Sequence, residues 1–431
     1  MTVPASVTPY QTSAESLAAN SPDWLAKLRR GALARFAEQG FPSLREEEWK
    51  YTNVAPIERK RFPLAEAPGQ VDPAWAQDRL LPDCWHLVLI DGHFARDLSS
   101  LPERTGETVI CDFNEALDRH SEWLTQGFGR AVDVDHGFID FNTALFQGGA
   151  FIHLSAGARL EKPIQILHLQ TQAAAAVSRH LLLLEEGAEA TVIETYAGLE
   201  AGLTAHIGEV LLEKEARLQH FKIQEEAERS FHFGGLYVKQ APHSHLTQNQ
   251  FALGGFLARS EIHVTLDEGS ACHLDGLHWA RGRRHLDSHT RIVHAAPNGT
   301  SRENYKALAD DAGHSVFQGR ILVQPHAQKT DSAMHNRNLI LSDKAEVDSK
   351  PQLEIYADDV QCAHGVTVGQ LDDDALFYLE TRGLDADAAR QLLIYGFVNE
   401  LIEAVPVMPL RAYLHRQLDP QFNAIDLKNP L

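Results

Sequence analysis

The chain has 431 residues and carries 39 Lys+Arg against 59 Asp+Glu, a formal charge of −20, with 44% hydrophobic and 23% charged residues. That is the mixture of an ordinary folded chain, long enough for several domains and a substantial core. The acidic balance excludes a general nucleic-acid binder, which needs surplus Lys and Arg to meet phosphates, and equally a protein that docks on an anionic membrane.

Residues 1–20 are small and polar and are expected to be a mobile N-terminal segment. Met1 to Ala14 has neither the basic start nor the apolar stretch expected of a signal peptide. Ser21-Pro22-Asp23 opens a helix with Trp24, Leu25, Leu28, Leu33 and Phe36 on its apolar face, ended by Gly40 and Pro42. The run Arg45-Glu46-Glu47-Glu48-Trp49-Lys50-Tyr51-Thr52 follows. Farther on come a short buried strand from Trp85 to Ile90, an Asp91-Gly92 turn and a helical piece from Asn114 to Leu124. Residues 21–135 therefore read as an N-terminal helical or mixed domain.

Helical periodicity then stops. Short alternating segments such as His180 to Leu184, Ala190 to Thr195 and Glu261 to Leu266 are separated by Gly-, Pro- and acid-containing corners. Comparable corners begin at Leu184, Leu212, Lys239, Leu266, His294 and Val323, at intervals of 28, 27, 27, 28 and 29 residues. A fixed interval of this size marks a stacked repeat. With only strands between corners, each repeat can bury its inward face only by stacking on the next, which predicts a parallel β-helix over residues 136–369. An antiparallel sandwich or barrel is the alternative that short strands and frequent turns also allow.

Residues 370–431 return to helix. Asp372-Asp373-Asp374 start one through Tyr378, closed by Gly383. Asp385 caps a longer one, Ala388 to Glu403, with Leu393, Phe397 and Leu401 at i, i+4, i+8 and Val398 and Ile402 beside them. Pro406 and Pro409 interrupt before a last helix, Arg411 to Leu418. These helices are expected to cap the open end of the solenoid, because an uncovered strand edge invites aggregation.

No Gly-Lys pair occurs, so no phosphate-binding P-loop is present, and the one Gly-x-Gly (Gly127-Phe128-Gly129) lacks the third glycine of a dinucleotide site. The four cysteines, 84, 111, 272 and 362, are scattered, which argues against a disulfide framework. The longest uncharged interior stretch, Pro163 to Ser178, is too short to span a membrane. The chain reads as cytoplasmic. Of its 23 histidines, 18 lie between residues 150 and 364. Any one of them is expected to be an outward-facing strand or corner residue or a satisfied core group. His243 and His245, at i and i+2, can share a strand face. The pair in Cys362-Ala363-His364-Gly365 is sharper: in an extended segment the thiol and imidazole project to one side, about 7 Å apart. A thiolate and an imidazole suit Fe(II) or Zn(II), and two ligands leave a coordination sphere that needs ligands from elsewhere or from a second subunit to close. A buried small cysteine beside a surface histidine is the bland reading of the same residues.

Gln361 to Leu384, Gln-Cys-Ala-His-Gly-Val-Thr-Val-Gly-Gln-Leu-Asp and onward, strongly resembles the signature of the SufB/SufD family of iron–sulfur cluster assembly proteins. It is nearest the SufD branch, whose pattern is C-S-H-G-A-T-x-G-x-[IL]-[DE]. Glu48-Trp49-Lys50-Tyr51-Thr52, Phe317-Gln318-Gly319-Arg320 and Asn338-Leu339-Ile340-Leu341 match in the same order. Ala363 and Val366 depart from the family's serine and alanine, and neither change removes a ligand. The resemblance implies a right-handed parallel β-helix between helical terminal domains and a non-enzymatic scaffold. It implies pairing with SufB through the β-helix and binding of the SufC ATPase through the C-terminal helices, with Leu393, Phe397 and Leu401 as the contact residues. His364, with Cys362 beside it, would then face a nascent iron–sulfur cluster shared with SufB. No intrinsic cofactor is implied; a reduced flavin in the complex and a homodimer of the isolated chain do not follow from these residues. Two other readings are a structural adaptor of the same complex with no ligand role, and a β-helix lyase or hydrolase whose acidic polysaccharide a charge of −20 would repel.

Overall fold

The computed structural model describes residues 9–103, 108–418 and 422. From Ala150 to Gly369 sixteen strands alternate between two sheets, so the chain makes eight turns of a parallel β-helix, one strand per sheet in each. The ladder explains the repeat. Leu203 pairs with Phe231, Phe231 with Leu257, Leu257 with His285 and His285 with His314, steps of 28, 26, 28 and 29 residues. One interval between corners is one turn of the stem. Each corner on one flank turns on a single left-handed residue. Gly187 and Gly269 take it without strain, and Glu215, His243, Asn298 and Lys329 adopt it as well. The amide of each donates to a carbonyl of the next corner, as from Gly187 to Lys214 and from His243 to Glu268. The corner conformation is thus repeated by hydrogen bonding rather than by one residue type. Because His243 turns a corner with φ 60°, it does not share a strand face with His245, contrary to the alternation argument.

The start of the stem is closed. Val109–Asp112 adds antiparallel to one sheet, and His93–Phe94 folds antiparallel onto Trp85–Ile90 and so edges the other. Helices Asp23–Gln39 and Gly137–Leu145 pack together on the outer face of the nine-stranded sheet. Arg29 fastens them, donating to the carbonyls of Ala144 and Phe146. Of the expected mobile lead-in of residues 1–20, residues 1–8 lie outside the described residues and the rest contains helix Gln11–Ala19, whose Ala14 is buried beside Tyr10 in the same core and whose Ala18 is buried as well; small side chains suited a close helix contact there. The helical piece at 114–124 is two helices, Phe113–Arg119 and Ser121–Gly127, broken at His120. Pro409 does not interrupt the last helix but sits in the first turn of Met408–Leu418, where its missing N–H costs nothing.

The C-terminal helices do not cap the stem. In Ala386–Glu403, Ile394, Val398, Leu401 and Ile402 pack back on the outer face of the ten-stranded sheet, in one cluster with Ile193, Phe221, Phe251, Leu277 and Leu308. The fully buried Lys306 ammonium pins this helix, bonding the Phe397 carbonyl at 2.7 Å and Glu400 at 2.6 Å, and Arg337 reaches Glu400 at 2.8 Å. Those outward strand positions are apolar and needed covering, which the sequence pattern of alternation concealed. The last turn is left bare. Among the described residues, Glu346–Ile355 and Gln361–Gly369 each pair with a strand on one side only.

Candidate functional site

The bare end is built from two strand edges. Register places His364 above Met334, Glu303, Leu274, Gln248 and His220, and Cys362 above Ser332, Ser301, Cys272 and Leu246. Both belong to columns that face inward, since the residues beneath them are buried. Alternation therefore puts the thiol and imidazole on one side, and the end of the stack leaves His364 exposed where the same position one turn below is fully covered. Cys362 is half-buried against the core. Burial, helped by Asp331, pushes its thiol upward in pKa, so at neutral pH it is held as the thiol, a poor ligand until another positive centre approaches.

Around the imidazole the surface is apolar. Val366 and Val368, inward columns with nothing above them, are 38% and 50% exposed, and Ile355 and Tyr356 lie open at the end of the facing strand. Ser349 bridges the two sheets, donating to Asn336 at 2.7 Å. Unpaired backbone groups along both edges complete the surface. Chemically this end can pair a strand, bury an apolar patch and offer one imidazole, with a protonated thiol behind it.

The remaining predicted positions lie elsewhere. Leu401 is buried in the intramolecular helix–sheet core, and Leu393 and Phe397 are half-buried, Phe397 with the Lys306 ammonium 4.8 Å from its ring centre. The periodic stripe found in the sequence is thus largely spent on the chain's own sheet. Helix Asp373–Thr381 buries no residue, and its Phe377 and Tyr378 are 66% and 56% exposed. Sequence reasoning missed these two, although adjacent aromatics on a helix too short to bury both were a usable signal. Cys84, Cys111 and Cys272 are buried, and burial pushes the Cys84 thiol up to about 11.

Two turns below His364 in its column, Glu303 is fully buried, accepts a 2.6 Å hydrogen bond from Thr290, and is raised by burial to a pKa of about 7. The folded state therefore binds this proton more tightly than the unfolded chain does. The fold is stabilised below the unfolded value and loses that stability as pH rises through 7. Glu303→Gln is expected to match the natural chain near pH 4.5 and to exceed it by about 3 kcal/mol at pH 8 in urea unfolding; equal stability of the two at pH 8 rejects a buried charge there.

Comparison with known proteins agrees with this architecture. The family model described as SUF system FeS cluster assembly, SufBD core domain, matches residues 167–397, and the SufBD N-terminal region matches residues 6–166. The chain is 35% identical over 383 residues to the iron–sulfur cluster assembly protein SufD of Escherichia coli, covering 86% of this chain and 87% of that one. A SufBD family protein of Synechocystis is 29% identical over 408 residues, 91% and 90% of the two chains. SufD of Bacillus subtilis is 25% identical over 414 residues, 91% and 93%. No helix among the described residues is long and apolar enough to cross a membrane.

Proposed function

Since the chain belongs to the SufBD family of iron–sulfur cluster assembly proteins and is a homologue of SufD, we propose that it is a scaffold subunit whose bare solenoid end pairs with a SufB-type paralogue. The observation that carries this reading is the exposed His364, set among unpaired strand edges and uncovered valines at the last turn. A second solenoid presenting a comparable end satisfies the edges and buries Val366 and Val368. It also brings sulfur donors to the exposed imidazole. The nascent cluster is cargo held across that junction. Imidazole and thiolate ligands split between two chains can be drawn apart to release it, whereas a closed four-ligand site in one chain would keep it.

The C-terminal helices are the second contact. Phe377 and Tyr378 are open, and residues 385–418 are anchored firmly enough by Lys306 and Arg337 to transmit a movement to the stem. This surface suits a SufC-type ATPase, which supplies the nucleotide chemistry that a chain without a P-loop lacks. The chain itself acts as a scaffold rather than a catalyst and does its work away from the membrane, in the cytoplasm.

His364→Ala is the direct test. The complex with the SufB and SufC partners should still assemble, while anaerobic cluster formation, measured as iron and sulfide retained per complex, falls at least fivefold. Unchanged cluster formation in an intact complex rejects the ligand role and leaves the chain a structural adaptor.

A further inference from the structure

The opposite end of the stem holds a second, unrelated cluster. His168 points inward from the ten-stranded sheet, and His180 and His206 point inward from adjacent strands of the nine-stranded sheet. They are 8%, 0% and 2% exposed. One nitrogen from each ring lies within 4.8 Å of the others. Nε2 of His168 and Nε2 of His180 are 3.1 Å apart, close to the roughly 3.3 Å between two nitrogens of a tetrahedral zinc shell.

His168 and His180 share a hydrogen bond, but the network around the three rings is left incomplete at His206. Ser178 Oγ sits 2.9 Å from Nδ1 of His206 and fixes the ring, yet Nε2 of His206 is buried with no hydrogen-bond partner, 3.6 Å from Glu194 Oε2. An orphaned buried nitrogen is costly unless something occupies the space before it. Gly208, in register with His180, presents no side chain here; a Cβ on it would stand 3.5 Å from the same His206 nitrogen, in ordinary contact. Glu194 is held in place by Tyr196 at 2.5 Å and by His220 Nε2 at 3.1 Å. Ring nitrogens converging beside a fixed carboxylate suit a cation that can replace the shared proton, and imidazole donors select a first-row ion over calcium or magnesium.

We propose that His168, His180 and His206 form a buried site for one divalent first-row cation of the zinc or ferrous class, with Glu194 supplying compensating charge. In the metal-free chain the Ala150 amide donates to Nδ1 of His180, which leaves the ring proton on Nε2, directed at His168. The entering cation takes that proton's place and the proton leaves to solvent. The imidazolate left behind keeps its bond from Ala150. Lys222 in the same interior faces both Glu194 and Glu226, and these three charges with the imidazolate and the dication sum to zero, as burial demands. With the site enclosed, the ion enters as the chain folds and fastens the first turns together. None of this depends on the role of His364.

The full chain refolded with one equivalent of Co(II), then passed through chelator and desalted, should retain about one cobalt per chain and show the intense visible bands of a tetrahedral nitrogen site. The isosteric His168→Gln/His206→Gln chain should retain at least tenfold less, whereas His364→Ala should retain as much as the natural chain. If the double variant fails to fold, the natural chain decides alone. No retained cobalt, weak bands of a six-coordinate ion, or loss of the metal in His364→Ala each overturn the site.

Discussion

Arg259→Leu is expected to destabilise the chain by about 3–5 kcal/mol, because it leaves two buried carboxylates without their cation. The guanidinium is fully buried on the outer face of the nine-stranded sheet, 2.8 Å from Glu261 and 2.5 Å from Asp287. The guanidinium carbon sits over the Trp49 ring, 3.8 Å from its centre. Thr52 donates to the same Asp287 at 2.6 Å, and Glu48 meets His289 at 2.8 Å. The segment Glu48–Thr52 is therefore a clasp that fastens the N-terminal helices to the stem through one arginine. Lysine cannot bridge both carboxylates, so Arg259→Lys should recover less than half of the loss. Urea unfolding monitored by tryptophan fluorescence measures both, and a cost under 1 kcal/mol for the leucine variant would refute the clasp.

Val366→Asp combined with Val368→Asp should weaken association with a SufB-type partner by at least about 100-fold, since each carboxylate must be desolvated against apolar surface on docking. Both side chains are open in the isolated chain, so its own melting temperature should move by no more than about 2 °C. Sedimentation of the mixed proteins separates the two quantities. Undiminished association would move the partner's seat away from the last turn. The Asp pair and His364→Ala also distinguish two jobs of one surface, because the first removes docking and the second leaves docking and removes a ligand.

Much of this was legible beforehand for a physical reason. In a parallel ladder the residue spacing between paired strands equals the repeat, so corners at Leu184, Leu212, Lys239 and Leu266 announce the stem directly. Alternation alone puts Cys362 and His364 on one side. The stripe of Leu393, Phe397 and Leu401 predicted its helix, but amphipathic periodicity says only that a face is buried, not against what. Here the cover is the chain's own sheet, where Phe221, Phe251 and Leu277 stand outward, in positions that alternation marks for solvent.

Local order in the chain thus determined the stacked coils, their length and the residues offered at their last turn, because each depends on neighbours a few positions away or one repeat apart. Only the folded molecule decided which end stays open and which histidines meet. His168, His180 and His206 come from different strands of two facing sheets, and no spacing along the chain records a meeting made across the interior between them.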